Sequence, residues 1–419
     1  MKVLWVTPNL LPAPFHYNKC MFRTSGGWLG SLAEIIKHNP TIDLHVISIS
    51  KLAKYPTTHI GNITYYAIPS NKGVFKYSSV LTKQLMTLVQ QIQPDIIDYQ
   101  GLEFSYTRDI LEISSGVPTC ATLQGLVSEI SKYYLSSIHF LDLFKSTTLR
   151  DIILVDTLYH RKMDYFRRGK SEIIAIKNTE NFIGRTKWDY NIINSHKRNF
   201  NYLSFNRRVR KSFLKYKWKI ENLSKNKLFI SQAHAPFKGF HILLDAVTIL
   251  KRYIPDILVL VAGRDLTKCK FNIPLYGGYQ KYILNKIDKN NLRNNIRFLG
   301  PLDEVSFAKE LSESSLFLLP SLIENSPNSL IEAQICGVPS IVSYAGGTPY
   351  MLPSDYEYFF NSQDSCMLAS MILQLLKDPA RAKFVSEYLV SYQNNIQSGL
   401  DNCDSLINYY KSIINQSNY

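Results

Sequence analysis

The chain has 419 residues, which is too long for one ordinary hydrophobic core and fits two domains of about 200 residues each. Hydrophobic residues make up 45% and charged residues 19%, a globular composition that excludes a disordered or fibrous chain. The net charge is +15, so the partner classes to consider are nucleic acid, an anionic membrane surface and a polyanionic substrate.

The six cysteines are widely scattered and form no Cys-x-x-Cys pair, which indicates buried free thiols in a reducing compartment. The apolar run after Lys2 is only five residues long, too short for the core of a signal peptide. No run approaches the roughly 18 apolar residues that span a bilayer. We therefore expect a cytoplasmic protein whose basic surface allows peripheral contact with the inner face of a membrane.

Short apolar runs alternate with longer helical patterns through the first half of the chain. The predicted strands are Lys2–Thr7, Leu44–Ser48, Ile63–Ala67, Asp95–Tyr99, Thr119–Leu123 and Ile173–Ile176. The predicted helices are Gly30–His38, Ser78–Ile92, Phe104–Ile113 and Leu149–Arg167. This alternation predicts a parallel sheet covered on both faces.

The same alternation returns in the second half. The predicted strands are Leu228–Ser231, Ile257–Ala262, Ile296–Leu299, Leu316–Leu319 and Ser340–Ser343. The predicted helices are Phe240–Arg252, Tyr279–Lys289, Glu304–Glu313 and Asn328–Ile335. After Asp364 the pattern is helical nearly to the C-terminus. The whole chain is therefore predicted to be α/β, with two doubly wound domains.

A polar, basic and aromatic stretch, Asn181–Lys227, is predicted to connect the domains. Part of the surplus of basic residues, including Arg210, lies in this stretch. It indicates either contact with an anionic partner or only a solvated linker or helix face. No nucleic-acid-binding module accompanies it, so we expect no nucleic-acid partner. We place an N-terminal, acceptor-side domain at 1–200, a donor-binding domain at 201–385, and a helical tail at 386–419 that packs back towards the N-terminal domain.

The segment Ser321–Leu352 carries the clearest chemical signal. Ser326 is a good N-cap, and Pro327 would then stand at the first helical position, where its missing N–H costs nothing. The backbone N–H groups of Asn328 and Ser329 would lie at a helix N-terminus, where a phosphate or pyrophosphate can bind. The segment therefore predicts an anion site.

Two carboxylates flank this helix start. Glu324 precedes the helix and Glu332 lies within it, eight positions later. At a rise of about 1.5 Å per helical residue they would be on the order of 10 Å apart. That separation is large for the paired carboxylates of a glycosidase, for which about 9.5 Å is the limit. It favours two acceptors that hold hydroxyl groups at opposite ends of a ligand, with phosphates between them.

The segment resembles the Glu-x7-Glu motif of the retaining glycosyltransferases of family 4, which have the GT-B fold. The elements of the family pattern are kept in register: Pro320-Ser321, Glu324, Glu332-Ala333, Gly337-Val338-Pro339 and Gly346-Gly347. The resemblance implies two Rossmann-like parallel-sheet domains that face a central cleft. It also implies that Glu324 contacts the donor sugar and Glu332 the ribose hydroxyls.

Two further elements match the family. Lys238-Gly239 resembles the element whose lysine contacts the donor diphosphate, but Ala233 stands where many relatives have an arginine. That departure leaves open which second cation holds the diphosphate. Gly26-Gly27 occupies the position of the family's glycine loop, which faces the donor phosphates from the other domain.

Three weaker candidates complete the predicted site. Arg264 follows a strand where the family cradles the nucleotide, and is interpreted as a donor contact or a surface ion pair. Gln124 stands where many relatives have a histidine, and can hydrogen-bond a sugar but not move protons. Arg185 either meets an anionic ligand or ties down the linker.

The predicted function is a retaining sugar transfer from a nucleotide-sugar donor to a hydroxyl acceptor, in polysaccharide or glycoconjugate biosynthesis, with Glu324 and Lys238 as catalytic residues. The family usually works without a metal and the sequence has no Asp-x-Asp triplet, so we expect neither metal nor cofactor, and a UDP-sugar rather than a GDP-sugar as substrate. The acceptor is a sugar or a lipid-linked sugar. The alternatives are a nucleotide-sugar epimerase, a phosphorylase, and a non-catalytic basic binding protein.

Overall fold

A computed structural model describes residues 1–11, 27–51, 53, 56–70, 74–114, 116–206, 209–222, 226–268, 277–399 and 403–417. The chain divides into two compact units. Unit 1 comprises Met1–Ser128, Arg167–Arg208 and Gly399–Tyr419. Unit 2 comprises Glu129–Phe166 and Val209–Ser398.

The described elements alternate along both units. The strands are β1 (Lys2–Thr7), β2 (Asp43–Ser50), β3 (Thr58–Ile60), β4 (Ile63–Pro69), β5 (Ile96–Gln100), β6 (Thr119–Thr122), β7 (Asn181–Gly184), β8 (Asn201–Ser204), β9 (Lys227–Ile230), β10 (Leu258–Ala262), β11 (Ile296–Gly300), β12 (Leu316–Leu319), β13 (Ser340–Ser343) and β14 (Phe359–Phe360). The helices are α1 (Gly27–Ile36), α2 (Ser79–Ile92), α3 (Ser105–Ile113), α4 (Val127–Tyr133), α5 (Phe140–Ser146), α6 (Leu149–Ile153), α7 (Leu158–Asn178), α8 (Lys187–His196), α9 (Lys211–Lys215), α10 (Phe240–Leu250), α11 (Gly278–Lys289), α12 (Glu304–Ser312), α13 (Asn328–Cys336), α14 (Ser365–Lys377), α15 (Pro379–Ser398) and α16 (Asp404–Ser417).

Unit 1 is built on a sheet with the strand order β3-β4-β2-β1-β5-β6-β7-β8. Its pairings are parallel except for that between β3 and β4. Within the central strand β1, the apolar residues Val3, Leu4, Trp5 and Val6 are all fully buried. Continuous burial is expected of a parallel strand with helices on both faces.

Unit 2 is built on a parallel sheet with the strand order β11-β10-β9-β12-β13-β14. This is the order 3-2-1-4-5-6 of a doubly wound dinucleotide-type fold. The direction of winding reverses between β9 and β12. In such sheets the crevice beyond the carboxyl ends of the two strands at the reversal is where ligands bind.

The C-terminal helix α16 belongs to unit 1 and adds to its core. Tyr410 is fully buried; its hydroxyl donates to Asp98 Oδ2 (2.6 Å) and accepts from the indole N–H of Trp5 (3.2 Å). Residues 386–398 end α15 and group with unit 2, so the segment that groups with unit 1 begins at Gly399 rather than at 386.

Three sequence expectations are corrected by the fold. Residues 129–166 group with unit 2, not with the N-terminal domain, and the division between the halves falls between Arg208 and Val209. The stretch predicted to be a connection, Asn181–Lys227, contains two strands of the unit 1 sheet, β7 and β8, and the helix α8 between them. Ile173–Ile176 is not a strand but part of α7, because a short apolar run cannot by itself distinguish a strand from a buried helical face.

The predicted helix Leu149–Arg167 is in fact two helices, α6 and α7. Val155 separates them with a φ of 49°, a left-handed conformation that ends the first helix. Within the described residues, no helix combines the length and the apolar content needed to cross a bilayer.

Candidate active site

The sequence-predicted donor residues of unit 2 lie at the reversal point of its sheet. Lys238 ends a short 3₁₀ segment (Pro236–Lys238) in the loop between β9 and α10. Glu324 lies in the loop between β12 and α13. Because β9 and β12 are neighbours in the sheet, their carboxyl ends bring these two loops together.

Lys238 and Glu324 form an ion pair at this point. Lys238 Nζ donates to Glu324 Oε1 at 2.6 Å, and Ser321 Oγ donates to the same oxygen at 2.8 Å. The two charged side chains are 17% and 12% exposed, so they are largely sheltered from water but still reachable. A cation and a carboxylate thus occupy the place where the sequence predicts the diphosphate and the sugar.

Two glycines make this approach possible. Gly239 has a φ of 69°, and a Cβ there would lie 1.7 Å from the carbonyl oxygen of Pro320. Gly346 has a φ of 59°, and a Cβ there would lie 2.1 Å from the carbonyl oxygen of Glu324. Each position therefore requires glycine both for its left-handed backbone and for its space. The Lys-Gly and Gly-Gly elements of the sequence are explained by this packing.

Helix α13 begins at Asn328, but its N-cap is Pro327 and not Ser326. Pro327 has an extended backbone (φ −67°, ψ 120°) and makes no side-chain capping bond. Asn328 and Ser329 remain in the first turn. Ser231 Oγ, at the end of β9, donates to Ser329 Oγ at 3.1 Å, which ties the helix start to the Lys238 side of the site.

The C-terminal end of α13 is capped by the glycine of the Gly337-Val338-Pro339 element. Gly337 is its C-cap, with a φ of 79°, and the N–H of Val338 bonds the carbonyl of Ala333 (2.9 Å). This is the left-handed glycine cap that commonly ends helices. The helix is thus fixed at both ends, with its N-terminus facing the crevice beside β9.

Glu332 has a partner that the sequence did not predict. It is 6% exposed, and its Oε1 accepts from Arg210 Nε at 3.1 Å and from Arg210 Nη2 at 2.6 Å. The guanidinium also lies over the Phe213 ring, 4.7 Å from its centroid. Burial raises the pKa of the Glu332 carboxyl, and the Arg210 charge opposes that rise. Arg210 belongs to the basic stretch that the sequence left undecided between linker and helix face.

A group of cations surrounds His234, next to the position where the family pattern has an arginine. Burial and, to a smaller extent, the positive charges of Lys238, Arg264 and Arg161 together lower the pKa of His234 to about 4, against the opposing charge of Glu324. Among the described residues, the Arg264 guanidinium makes no hydrogen bond or ion pair. Arg161, in contrast, is bonded twice to Asp156 (2.7 Å each). Among the cations beside His234 in the described part of the chain, Arg264 is therefore the one without an ion-pair partner.

Residues 129–166 pack against the Lys238 loop. The rings of Tyr134 and Tyr165 contact that of Phe237, with centroids 5.8 and 5.9 Å apart. Ser137 Oγ lies 2.6 Å from His241 Nε2, at the start of α10. Periodicity gave no sign of these contacts, because each joins segments that lie far apart in the sequence.

The remaining sequence-predicted residues, Gly26, Gly27, Gln124 and Arg185, belong to unit 1. Gly26 lies outside the described residues, and Gly27 is the first residue of α1. Gln124 follows β6 and is partly buried. Arg185 follows β7; it is 9% exposed, burial lowers its pKa to about 10, and its backbone N–H donates to Asp189 (3.1 Å).

Arg185 also lines a cavity of about 10 Å³, together with Asp98, Gln100 and Thr122. Such a volume holds about one water molecule. The roles predicted for Gln124 and Arg185 towards an acceptor stay predictions.

A further buried carboxyl follows β5, at the reversal point of the unit 1 sheet. Burial and the neighbouring carboxyl of Glu172 raise the pKa of Glu103 to about 8. Glu172 in turn accepts from the N–H groups of Val127 (3.0 Å) and Ser128 (2.8 Å). Sequence reasoning missed Glu103, since a single glutamate after a strand carries no distinguishing pattern.

Two Rossmann-like parallel-sheet units, one with its charged pair at the reversal point, define a protein of GT-B architecture. Residues 213–389 match the family model described as "Glycosyl transferases group 1". The match supports the prediction of a glycosyltransferase and covers most of unit 2.

Curated relatives match over shorter stretches. The chain is 36% identical over 97 residues to the N-acetyl-alpha-D-glucosaminyl L-malate synthase of Bacillus anthracis, which covers 23% of this chain and 25% of that protein. It is 25% identical over 167 residues to the phosphatidyl-myo-inositol mannosyltransferase of Mycobacterium leprae, covering 39% and 41%. The chain thus spans about a quarter to two fifths of the length of these relatives.

Solved structures match over the whole chain and support the fold. Sucrose-phosphate synthase from Thermosynechococcus elongatus superposes with a TM-score of 0.70 at 14% identity, covering 100% of this chain and 98% of that one. Anabaena HepE, solved in complex with UDP-glucose, superposes with a TM-score of 0.64 at 13% identity, covering 99% of each chain.

Proposed function

We propose that this chain is a retaining glycosyltransferase, which moves a sugar from a nucleotide-sugar donor to a hydroxyl acceptor. The observation that carries the proposal is the Lys238–Glu324 pair at the reversal point of the unit 2 sheet, within the segment that matches the glycosyl transferases group 1 model. The predicted donor residues come from two loops that lie far apart in the sequence.

Each residue has a proposed role. Lys238 and Arg264 hold the diphosphate, with Arg264 in place of the arginine that is absent at Ala233. The first turn of α13 adds the positive end of its helix dipole. Glu324 accepts from hydroxyls of the donor sugar, and Glu332 accepts from the ribose hydroxyls.

In the proposed reaction the acceptor oxygen bonds to the anomeric carbon on the same face from which the diphosphate departs. The bond between the anomeric carbon and the diphosphate oxygen breaks, and the bond from the acceptor oxygen to that carbon forms. The acceptor proton passes to the leaving diphosphate. Negative charge grows on that leaving group, so positive charge already in place at Lys238 and Arg264 stabilises the transition state more than the ground state.

The proposed donor is a UDP-sugar and the proposed acceptor a sugar or a lipid-linked sugar. Anabaena HepE, a structural neighbour, binds UDP-glucose, which favours a UDP-sugar. The name of the Mycobacterium leprae relative gives phosphatidyl-myo-inositol as an acceptor, which favours a lipid carrier. The net charge of +15 is compatible with peripheral contact at an anionic membrane.

The test is release of nucleoside diphosphate from a panel of UDP- and GDP-sugars, measured for the wild type and three variants. Lys238→Ala should lose turnover and nucleotide affinity together. Glu324→Ala should lose turnover but keep nucleotide affinity, and Glu332→Ala should mainly raise the KM for the donor. If Glu324→Ala and Glu332→Ala both keep normal turnover, the site assignment is wrong.

Lys286→Ala is the matched control. Lys286 also pairs with a carboxylate in unit 2, Asp245, at 2.7 Å, and its side chain is 18% exposed, close to the 17% of Lys238. It should therefore reproduce the loss of a half-buried ion pair without the loss of turnover. Equal losses in the two lysine variants would mean that turnover depends on the stability of unit 2 and not on Lys238.

A further inference from the structure

A short segment of unit 2 exposes an unusual number of apolar side chains. Of the 24 large hydrophobic side chains that are exposed among the described residues, 11 lie between Tyr133 and Phe166. We define the apolar surface by six of them, on α5, α6 and the turn that follows: Phe140, Phe144, Leu149, Ile152, Ile153 and Val155. Their exposed fractions run from 61% to 78%. Apolar patches of this kind on a soluble surface generally mark a binding site.

Helix α6 is amphipathic in the reverse of the usual sense. Asp151 is 0% exposed, while Leu149 and Ile153 are 78% and 77% exposed. The buried carboxylate accepts from the backbone N–H of Thr148 (3.1 Å) and from Arg150 Nη1 (3.0 Å). A helix that faces water normally turns its charged side chains outwards and its apolar ones inwards. The reversal leaves the apolar face of α6 exposed on the surface of unit 2, while Asp151 is held inside by the capping box with Thr148.

The turn after α6 is fixed in this outward position. Val155 is a β-branched residue at φ 49°, a strained conformation that persists only where its surroundings impose it. The next residue, Asp156, accepts from Arg150 (3.1 Å) and twice from Arg161 (2.7 Å each). These ionic contacts lie on the inner side of the turn and fix its apolar side chain, Val155, in an outward position. A loose loop would not fix it in this way.

The charge of the chain as a whole selects the partner. The segment 139–166 is itself balanced: Asp151 and Asp156 are paired with arginines, and Lys145 and Lys162 are matched in number by Asp142 and Asp164. A second copy of a chain of net charge +15 would be repelled, and an anionic surface would be attracted. We propose that the apolar surface docks onto an anionic lipid bilayer, with its side chains at the level of the headgroups and Lys145 and Lys162 next to lipid phosphates.

Docking at this place would bring the donor site to the membrane. The same segment contacts the Lys238 loop through Tyr134 and Tyr165, which pack on Phe237, and reaches α10 through Ser137. The inference deepens the proposed function and rests on it in one respect, that the acceptor carried by a lipid is met there.

The experiment is sedimentation of the full chain with vesicles of phosphatidylcholine alone and of phosphatidylcholine mixed with phosphatidylglycerol. The wild type should bind the mixed vesicles, and binding should weaken as salt is added. The triple variant Phe144→Ser, Leu149→Ser, Ile153→Ser should bind the mixed vesicles with an affinity at least about ten-fold lower. Lys145→Glu with Lys162→Glu should lose the preference for the anionic vesicles.

A matched triple variant controls for the loss of exposed apolar area. Val305, Met367 and Phe384 of unit 2 are 51%, 41% and 56% exposed, and their replacement by serine should leave vesicle binding unchanged. Circular dichroism and thermal melting of both triple variants establish that they fold. Equal binding by the wild type and the Phe144 triple variant, or no binding by the wild type, would overturn the inference.

Two further measurements separate the remaining outcomes. If the wild type forms dimers without vesicles and the Phe144 triple variant is monomeric, the apolar surface is a self-association interface and the inference is wrong. Release of nucleoside diphosphate in solution should be the same in the wild type and the triple variant. Loss of vesicle binding in a chain that turns over no nucleotide sugar would keep the docking inference and reject the proposed function.

Discussion

Removal of the Arg210 guanidinium should destabilise unit 2, and the loss should grow as the pH rises. In Arg210→Met the buried Glu332 carboxylate loses both of its bonds to the guanidinium (3.1 and 2.6 Å). Breaking one side of a buried ion pair costs about 3–5 kcal/mol, because an uncompensated charge is left behind. The two side chains are only 15% and 8% exposed, so water can replace little of the lost interaction.

The pH dependence follows from the pKa of Glu332. Burial already raises that pKa, and the variant removes the cation that opposes the rise. A carboxyl with a raised folded-state pKa contributes stability that is present below its unfolded pKa and is lost as the pH rises through the folded one. The free energy of unfolding of Arg210→Met should therefore approach that of the wild type at about pH 5, where Glu332 can be protonated. Most of the deficit should appear at about pH 8.

The assay is urea unfolding of the full chain at both pH values, followed by a probe of unit 2. Adding Glu332→Gln to Arg210→Met should recover much of the loss, since a neutral amide needs no counter-charge. Arg293→Met is the control, because Arg293 pairs with Asp288 at 2.6 Å with its side chain 78% exposed and should cost below about 1 kcal/mol. A deficit in Arg210→Met that is the same at both pH values would refute the reasoning.

Three other predictions concern single positions. Gly239→Ala should lower both stability and donor turnover, because its Cβ would lie 1.7 Å from the Pro320 carbonyl, whereas Gly300→Ala, at φ 75° with nothing within 4 Å of its Cβ, should cost only backbone strain; urea midpoints compare the two. Glu103→Gln should flatten the fall in thermal stability between about pH 5 and about pH 8, because a carboxyl whose pKa is raised to about 8 loses stabilisation as it ionises. His234→Asn should leave the shape of the pH–turnover profile unchanged above about pH 5.5, since a pKa lowered to about 4 keeps the ring neutral there; a lost inflection would contradict this.

The sheet of unit 2 was the part of the fold most accessible to prediction. Its central strands β9, β10, β12 and β13 are almost wholly buried, and Leu316–Leu319 and Ser340–Ser343 were predicted with their observed bounds. Glycine was also informative, since Gly337, which follows the predicted helix in the sequence, ends α13 in a left-handed conformation. Such features depend on neighbours within one turn or one strand, which a sequence displays directly.

Features that depend on distant partners were not accessible. Arg210 is one of several cations in a basic stretch, and only the fold, which brings it to a glutamate 122 positions away, singles it out. The weak apolar run Ile173–Ile176 gave the wrong element for the same reason, because its burial on α7 is decided by the strands beneath it. The outward face of α6 reads in sequence as ordinary core, since periodicity does not say which side of a helix faces the protein.

The Lys238–Glu324 pair has a consequence for the order in which the proposed donor is held. Without ligand, the lysine charge is satisfied by Glu324, and Ser321 donates to the same carboxylate oxygen. A diphosphate that takes Lys238 must displace the glutamate, which then becomes available to accept from sugar hydroxyls. A free nucleoside diphosphate must also break this pair, but it has no sugar hydroxyls that could donate to the released glutamate. The affinity for the intact donor over the spent nucleotide would thus arise from one ion pair, and Glu324→Ala would remove that preference because it leaves Lys238 without its internal competitor.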